Sequence, residues 1–233
     1  MLRLKAILTF TAALAFAAAS YSARNFRGYD PAAFPVPVVN PPFQPAPWAF
    51  SIWGVIFLAL IVQAGFGLFR RAEDRAWDAP RWALFLSMAL GANWLAVAMQ
   101  APVLATVQIW VMAALSLAAL ALVPKGAEFT SRAAPIGLYA GWLTAATMVA
   151  TGTVLVGYGL LPLGVATWVV LAAAVIVGLA VTARLAPGVA YPAGVIWALI
   201  GIIAANTANT ALVAAAGGAI LALGVTAWIR RAG

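Results

Sequence analysis

The chain has 233 residues, of which 66% are hydrophobic and only 8% charged, with a formal net charge of +8. Soluble domains are roughly half apolar and about a quarter charged, so a mean hydropathy of +1.04 excludes an ordinary water-soluble globule and makes lipid the solvent. Cysteine and histidine are both absent, which excludes disulfides, thiolate nucleophiles, Cys/His zinc sites, His-ligated haem and histidine general bases.

A membrane-crossing helix needs about 20 apolar residues. Such runs are predicted at 5–22, 48–69, 81–100, 102–123, 133–157, 161–183, 189–206 and 209–229. The expected fold is therefore all-α, a polytopic transmembrane bundle of about eight spans. The first run follows Met1-Leu2-Arg3-Leu4-Lys5 and ends near Ala17-Ala18-Ala19, so it also reads as a secretory leader. The seventh is the least defined. It meets the eighth at Asn206-Thr207-Ala208-Asn209-Thr210, a polar turn-forming group in an apolar stretch.

Between the first two spans, residues 21–47 hold seven of the fourteen prolines together with Phe26, Tyr29, Phe34 and Phe43. Proline fixes φ and withholds a donor, so this segment is a stiff, extended loop. It is either a connector with interfacial aromatics or a lid over the mouth of the bundle.

Charge sets the expected orientation. With the N-terminus cytoplasmic, all thirteen basic residues except Arg24 and Arg27 fall on the inner side. Both termini are then cytoplasmic, in a bacterial-type plasma membrane. Basic residues at helix ends serve topology, so a sequence pI of about 10.9 does not imply nucleic acid. The acidic residues Asp30, Glu73, Asp74, Asp78 and Glu128 all lie outside the spans. Coupled pumps and voltage sensors usually carry buried charge, which argues against those classes.

The ten tryptophans divide into two groups. Trp77, Trp82 and Trp228 lie beside basic residues and read as interfacial anchors. Trp53 shares a helical face with Phe50 and Phe57, Trp94 follows Asn93 in the third span, Trp110 neighbours Gln108, and Tyr139 and Trp142 share a face of the fifth. Buried Trp and Tyr need partners for their N–H and O–H groups. These rings either fill the bundle interior or line a cavity for a flat apolar ligand. Gly137 and Gly141 form a small-xxx-small pair for close helix packing. Thr144, Thr147 and Thr151 form a stripe that bonds its own carbonyls or a neighbouring helix. Neither a nucleotide-binding loop, a catalytic triad nor an acid/base carboxylate pair is evident.

Pro47-Trp48-Ala49-Phe50, followed by Trp53 and Phe57, resembles the second-helix signature of the TspO/translocator-protein family, also called tryptophan-rich sensory proteins or peripheral benzodiazepine receptors. Asn93-Trp94 and Tyr139-Ala140-Gly141-Trp142 are similar to that family's third- and fifth-helix motifs. Departures are Phe57 for the usual tyrosine, Ala96 for a tryptophan and Leu138 for a proline. The resemblance covers residues 5–157 and implies a TspO-like five-helix unit, 1–157, followed by three additional helices, 158–233. It further implies a cavity lidded by the first loop that binds porphyrins, sterols or synthetic ligands. On this reading Phe50, Trp53, Phe57, Asn93, Trp94, Tyr139 and Trp142 are the ligand-binding residues. No catalytic residue or metal site is expected, and no cofactor beyond a bound tetrapyrrole. The partners are the lipid bilayer and a hydrophobic small molecule, with a homodimer left open. Sensor or carrier is the leading expectation; light-dependent porphyrin breakdown and passive transport are the alternatives.

Overall fold

The computed structural model describes residues 1–22, 28–126, 128–185 and 188–232. Within them the chain forms eight long helices: α1 Leu2–Ser22, α2 Ile52–Phe69, α3 Arg81–Ala98, α4 Pro102–Ala121, α5 Phe129–Gly157, α6 Leu163–Arg184, α7 Ala190–Ala205 and α8 Thr210–Ala232. No strand occurs among the described residues. Arg24, Phe26 and Arg27, assigned above to the external loop, lie outside the described residues.

Helix boundaries follow local chemistry. Pro47 opens a 3-10 turn, Pro47–Ser51, that leads into α2; its fixed φ suits a first turn. Pro102 starts α4 in the same way. The predicted polar break is real: Asn206 N–H bonds Ile203 O at 3.1 Å, Asn209 N–H bonds Asn206 O at 2.8 Å, and Asn209 Oδ1 caps Leu212 N–H at 3.1 Å.

Seven helices are long and apolar enough to cross a membrane, whereas α7 has only 16 residues. At 1.5 Å per residue it reaches about 24 Å, short of the ~30 Å hydrocarbon core. Protein covers both of its ends. Its first turn packs against Gly137, the ninth residue of α5, and its last turn lies beneath the proline-rich loop.

The bundle is organised around α5. This helix packs against α2, α4, α6 and α7, while α1 packs on α2 and α3, α3 on α4, and α8 on α6 and α7. Small residues and threonines let α5 be surrounded. Ile136, Tyr139, Ala140 and Leu143 are fully buried, and Thr144 and Thr151 donate to backbone four residues back, Ala140 O at 2.9 Å and Thr147 O at 2.8 Å, while Thr147 reaches Ile109 O of α4 at 3.5 Å. The predicted Gly137/Gly141 stripe is the α5–α7 crossing. A Cβ on Gly141 would sit 2.0 Å from Tyr191 O, and one on Gly194 would sit 2.6 Å from Trp142 N. Backbones in direct contact maximise van der Waals packing where lipid supplies no hydrophobic drive. This crossing, among the most closely packed in the molecule, spans the predicted boundary at residue 157.

At the arginine-rich end, ion pairs tie three chain segments together. Lys5 pairs with Asp78 at 2.7 Å, and Arg81 reaches Asp78 at 3.4 Å. The buried Arg81 guanidinium also donates to Gly67 O at 2.9 Å, Arg71 O at 2.8 Å and Ala72 O at 2.8 Å, satisfying carbonyls left open where α2 ends. Arg71 pairs with Glu128 just before α5. Trp77 corrects an expectation. It is not a lipid-facing anchor but is 3% exposed, stacked over Gly67 and donating to Glu128 Oε2 at 2.9 Å. A carboxylate within the loop cluster offered the indole a better partner than the bilayer interface. Trp82 and Trp228 are exposed, as expected of anchors.

Candidate ligand-binding recess

At the opposite end, the proline-rich loop lies across the bundle. Phe34 and Phe43 are buried; Phe34 fills the notch at Gly157 and meets Tyr158 edge-on at 5.9 Å. Backbone bonds hold the strap: Val36 N–H to Gly157 O at 2.9 Å and Ala46 N–H to Gly201 O at 3.0 Å. Side chains of α7 and of the residue capping it add two more, Trp197 Nε1–H to Ala49 O at 2.7 Å and Asn206 Nδ2–H to Pro42 O at 2.8 Å. Trp48 packs edge-on against Trp197 at 5.3 Å. Of the two readings of this loop, the described part takes the form of a lid.

Beneath it a recess of about 760 Å³ is walled by α1, α2, α3, α4 and α5. The face expected on α2 forms, with Phe50, Trp53 and Phe57 all lining it. Trp53 stacks on Phe57 at 5.2 Å and meets Trp142 edge-on at 6.2 Å; Phe50 meets Trp142 edge-on at 5.7 Å. Such offset and edge-to-face pairs favour the ring quadrupoles. Trp94 and Trp142 line this recess and a narrower inner pocket of about 60 Å³ reaching Tyr29, Gln44 and Pro45 of the lid. Trp94 donates to Ala105 O at 2.8 Å. Trp142 is 2% exposed, and its indole N–H has no hydrogen-bond partner among the described residues.

Five of the seven expected site residues thus converge. Tyr139 and Asn93 do not line the recess. Tyr139 lies behind the wall, fully buried, hydrogen-bonded to Ser87 Oγ at 2.9 Å and in ring contact with Trp53 and Phe16. Ser87 passes the bond to Met112 O at 2.8 Å, so the pair pins α3, α4 and α5 together. Asn93 is exposed on the outer surface, where its Oδ1 accepts from Gln108 Nε2 at 2.6 Å. At about 100° per residue, Asn93 and Trp94 cannot share one face. Trp110 also points outward, 45% exposed, donating to Thr151 Oγ1 at 3.0 Å.

Phe16 and Trp197 were not marked in the sequence, and Tyr29 was marked only as a loop aromatic. Phe16 of α1 touches Trp53, Phe57 and Tyr139 within 6 Å and packs into Gly91 of α3. Trp197 holds the lid from α7. Tyr29 lines the inner pocket and shares a hydrogen bond with Thr106 at 2.9 Å; burial pushes its phenol up to about 12 against the lowering effect of that bond. The loop aromatics were a signal for Tyr29, whereas Phe16 sits in a run indistinguishable from any apolar span.

The helices and recess define a multi-pass α-helical membrane protein with an aromatic-walled hollow beneath a loop lid. The family model for TSPO-like proteins matches residues 6–229, and the chain belongs to that family. The match runs through α6, α7 and α8 as well as the first five helices. No curated protein and no solved structure gives a match.

Proposed function

We propose that this protein binds a hydrophobic planar molecule, a tetrapyrrole or sterol-like compound, in the recess under the lid and acts as its sensor or carrier. The observation that carries this reading is the convergence of Phe50, Trp53, Phe57, Trp94 and Trp142 on one hollow of about 760 Å³. Known ligand pockets of roughly 300–1,000 Å³ combine apolar walls with a few placed polar groups. Here the polar groups at hand are the unpaired Trp142 N–H and, in the inner pocket, Tyr29, Gln44 and Thr153. An unsatisfied buried donor costs about 1–3 kcal/mol, and an acceptor on a ligand would recover part of it.

The basic end is proposed to face the cytoplasm, with both termini on that side. Lys5, Asp78, Arg81, Arg71 and Glu128 gather at this one end, which supports the parity of that assignment. Because the chain has no cysteine, a cysteine appended at either terminus can be probed with an impermeant thiol reagent in intact cells. Labelling before permeabilisation would reverse the orientation.

The binding test is titration of purified protein with protoporphyrin IX, followed by tryptophan quenching. Saturable quenching is expected, with affinity at least about tenfold weaker in Trp53→Ala/Trp142→Ala, a loss near 1.4 kcal/mol. Unchanged affinity in the double variant would remove the recess as the site. Turnover under illumination that stops in the variant while binding persists would turn the reading toward an enzyme.

A further inference from the structure

We infer that the ligand reaches the recess sideways from the bilayer, through an opening between α1 and α2 at Gly54, and not from water past the lid. The inference rests on the binding reading above and adds the route and the physical state of the ligand.

The two routes differ sharply. On the water side, the lid is fastened to α4, α5 and α7 by Tyr29–Thr106, Val36–Gly157, Ala46–Gly201, Pro42–Asn206 and Ala49–Trp197. Phe43 is 1% exposed among Met148, Val170 and Ala174, with its ring over Gly152. Entry past the lid would break these bonds together and expose those rings.

On the lipid side, α1 and α2 touch from Phe69 up to Trp53. Phe10 packs into Gly65 at 3.2 Å from where a Cβ would sit and meets Phe69 at 5.8 Å. Phe16 closes on Phe57 at 4.9 Å and Trp53 at 5.6 Å. Nearer the lid, the recess lining passes to Ala17 and Ser20 of α1 and to Trp48, Ser51 and Gly54 on the other side. Ser51, Gly54 and Trp48 are exposed, and among the described residues a Cβ on Gly54 would meet nothing within 4 Å. Gly54 lies inside the apolar span Pro47–Phe69, so this mouth opens onto lipid near the lid-side headgroups. A molecule already dissolved in the bilayer reaches it without crossing water. Ser20 and Ser51 place two hydroxyls at the rim, which suits an amphiphile with a hydrogen-bonding end and a ring system that passes inward to Trp53 and Trp142.

The experiment uses the full chain in phosphatidylcholine vesicles that already contain protoporphyrin IX or dehydroergosterol. Temperature-jump relaxation of the tryptophan signal then reports entry and exit within one bilayer. A plug in the path slows both directions alike, whereas a lost wall contact changes affinity mainly through release. Gly54→Phe is expected to relax about tenfold more slowly. Asn206→Ala, which loosens the lid, is expected to relax at the wild-type rate. Relaxation of Gly54→Phe at the wild-type rate overturns the lateral route, as does faster relaxation of Asn206→Ala. Should Gly54→Phe fail to fold, Gly54→Val and Ser51→Phe give the same readout. Absence of saturable quenching by either probe in the wild type removes the binding reading itself, and the route with it.

Discussion

Gly141→Ala tests whether backbone contact between α5 and α7 governs the stability of the whole lidded recess. The added methyl would sit 2.0 Å from Tyr191 O and 3.0 Å from Tyr191 C, where ordinary contact begins near 3.4 Å. Going from 2.0 to 3.4 Å means that α7 must retreat by about 1.4 Å, and a gap of 0.5–1 Å already forfeits a quarter to a half of a contact's attraction. Overpacking of this kind costs about 1–3 kcal/mol, offset by the ~0.5–1 kcal/mol that alanine gains over glycine in a helix. A net loss of about 1–2 kcal/mol is expected. The strain falls on Trp142, next to Gly141 and part of the recess wall, so protoporphyrin IX binding should weaken in the same variant. Gly224→Ala on α8 is the control, because among the described residues its methyl meets nothing within 4 Å, and it should stabilise by about 0.5 kcal/mol. Reversible unfolding in mixed micelles measures both. A Gly141→Ala protein as stable as the wild type would refute a rigid backbone contact at this crossing.

Further expectations concern the polar groups at either end and the orphan indole. Arg81→Met leaves the carbonyls of Gly67, Arg71 and Ala72 without their donor, and should cost about 2–3 kcal/mol in the same unfolding assay. Glu128 is held down to about 2, first by its hydrogen bond from Arg71 and then by that from Trp77. A depressed carboxylate stabilises the fold above its unfolded pKa and loses that contribution as pH falls. The Trp77 indole resonance in ¹⁵N NMR should therefore shift as pH falls towards about 2, and Glu128→Gln should abolish the shift. Tyr29 titrates in the opposite sense. Its phenol is pushed up to about 12 by burial, so lid docking is intact below its ordinary pKa and is lost as pH rises towards 12. Phenolate absorbance of Tyr29→Phe against wild type isolates that step. Trp142→Phe should leave the unliganded protein at least as stable, since no partner of the N–H is lost, while lowering affinity for a ligand that accepts from it.

The membrane class, the eight helical segments and the aromatic face of α2 were legible in the sequence. Apolar run length is a local property set by bilayer thickness, and helical spacing places Phe50, Trp53 and Phe57 without tertiary information. The Gly137/Gly141 stripe announced a close crossing for the same reason. Which rings meet was decided only by the tertiary structure. In lipid both faces of a helix are equally apolar, so hydrophobic periodicity no longer distinguishes inside from outside. Asn93 and Trp94 therefore read as one site although adjacent positions diverge, Trp77 read as an anchor although Glu128 lies within its reach, and Phe16 carried no mark. The part played by α7 was hidden for a further reason. Trp197, Gly201 and Asn206 act on Ala49, Ala46 and Pro42, about 150 residues earlier in the chain, and only packing brings them together.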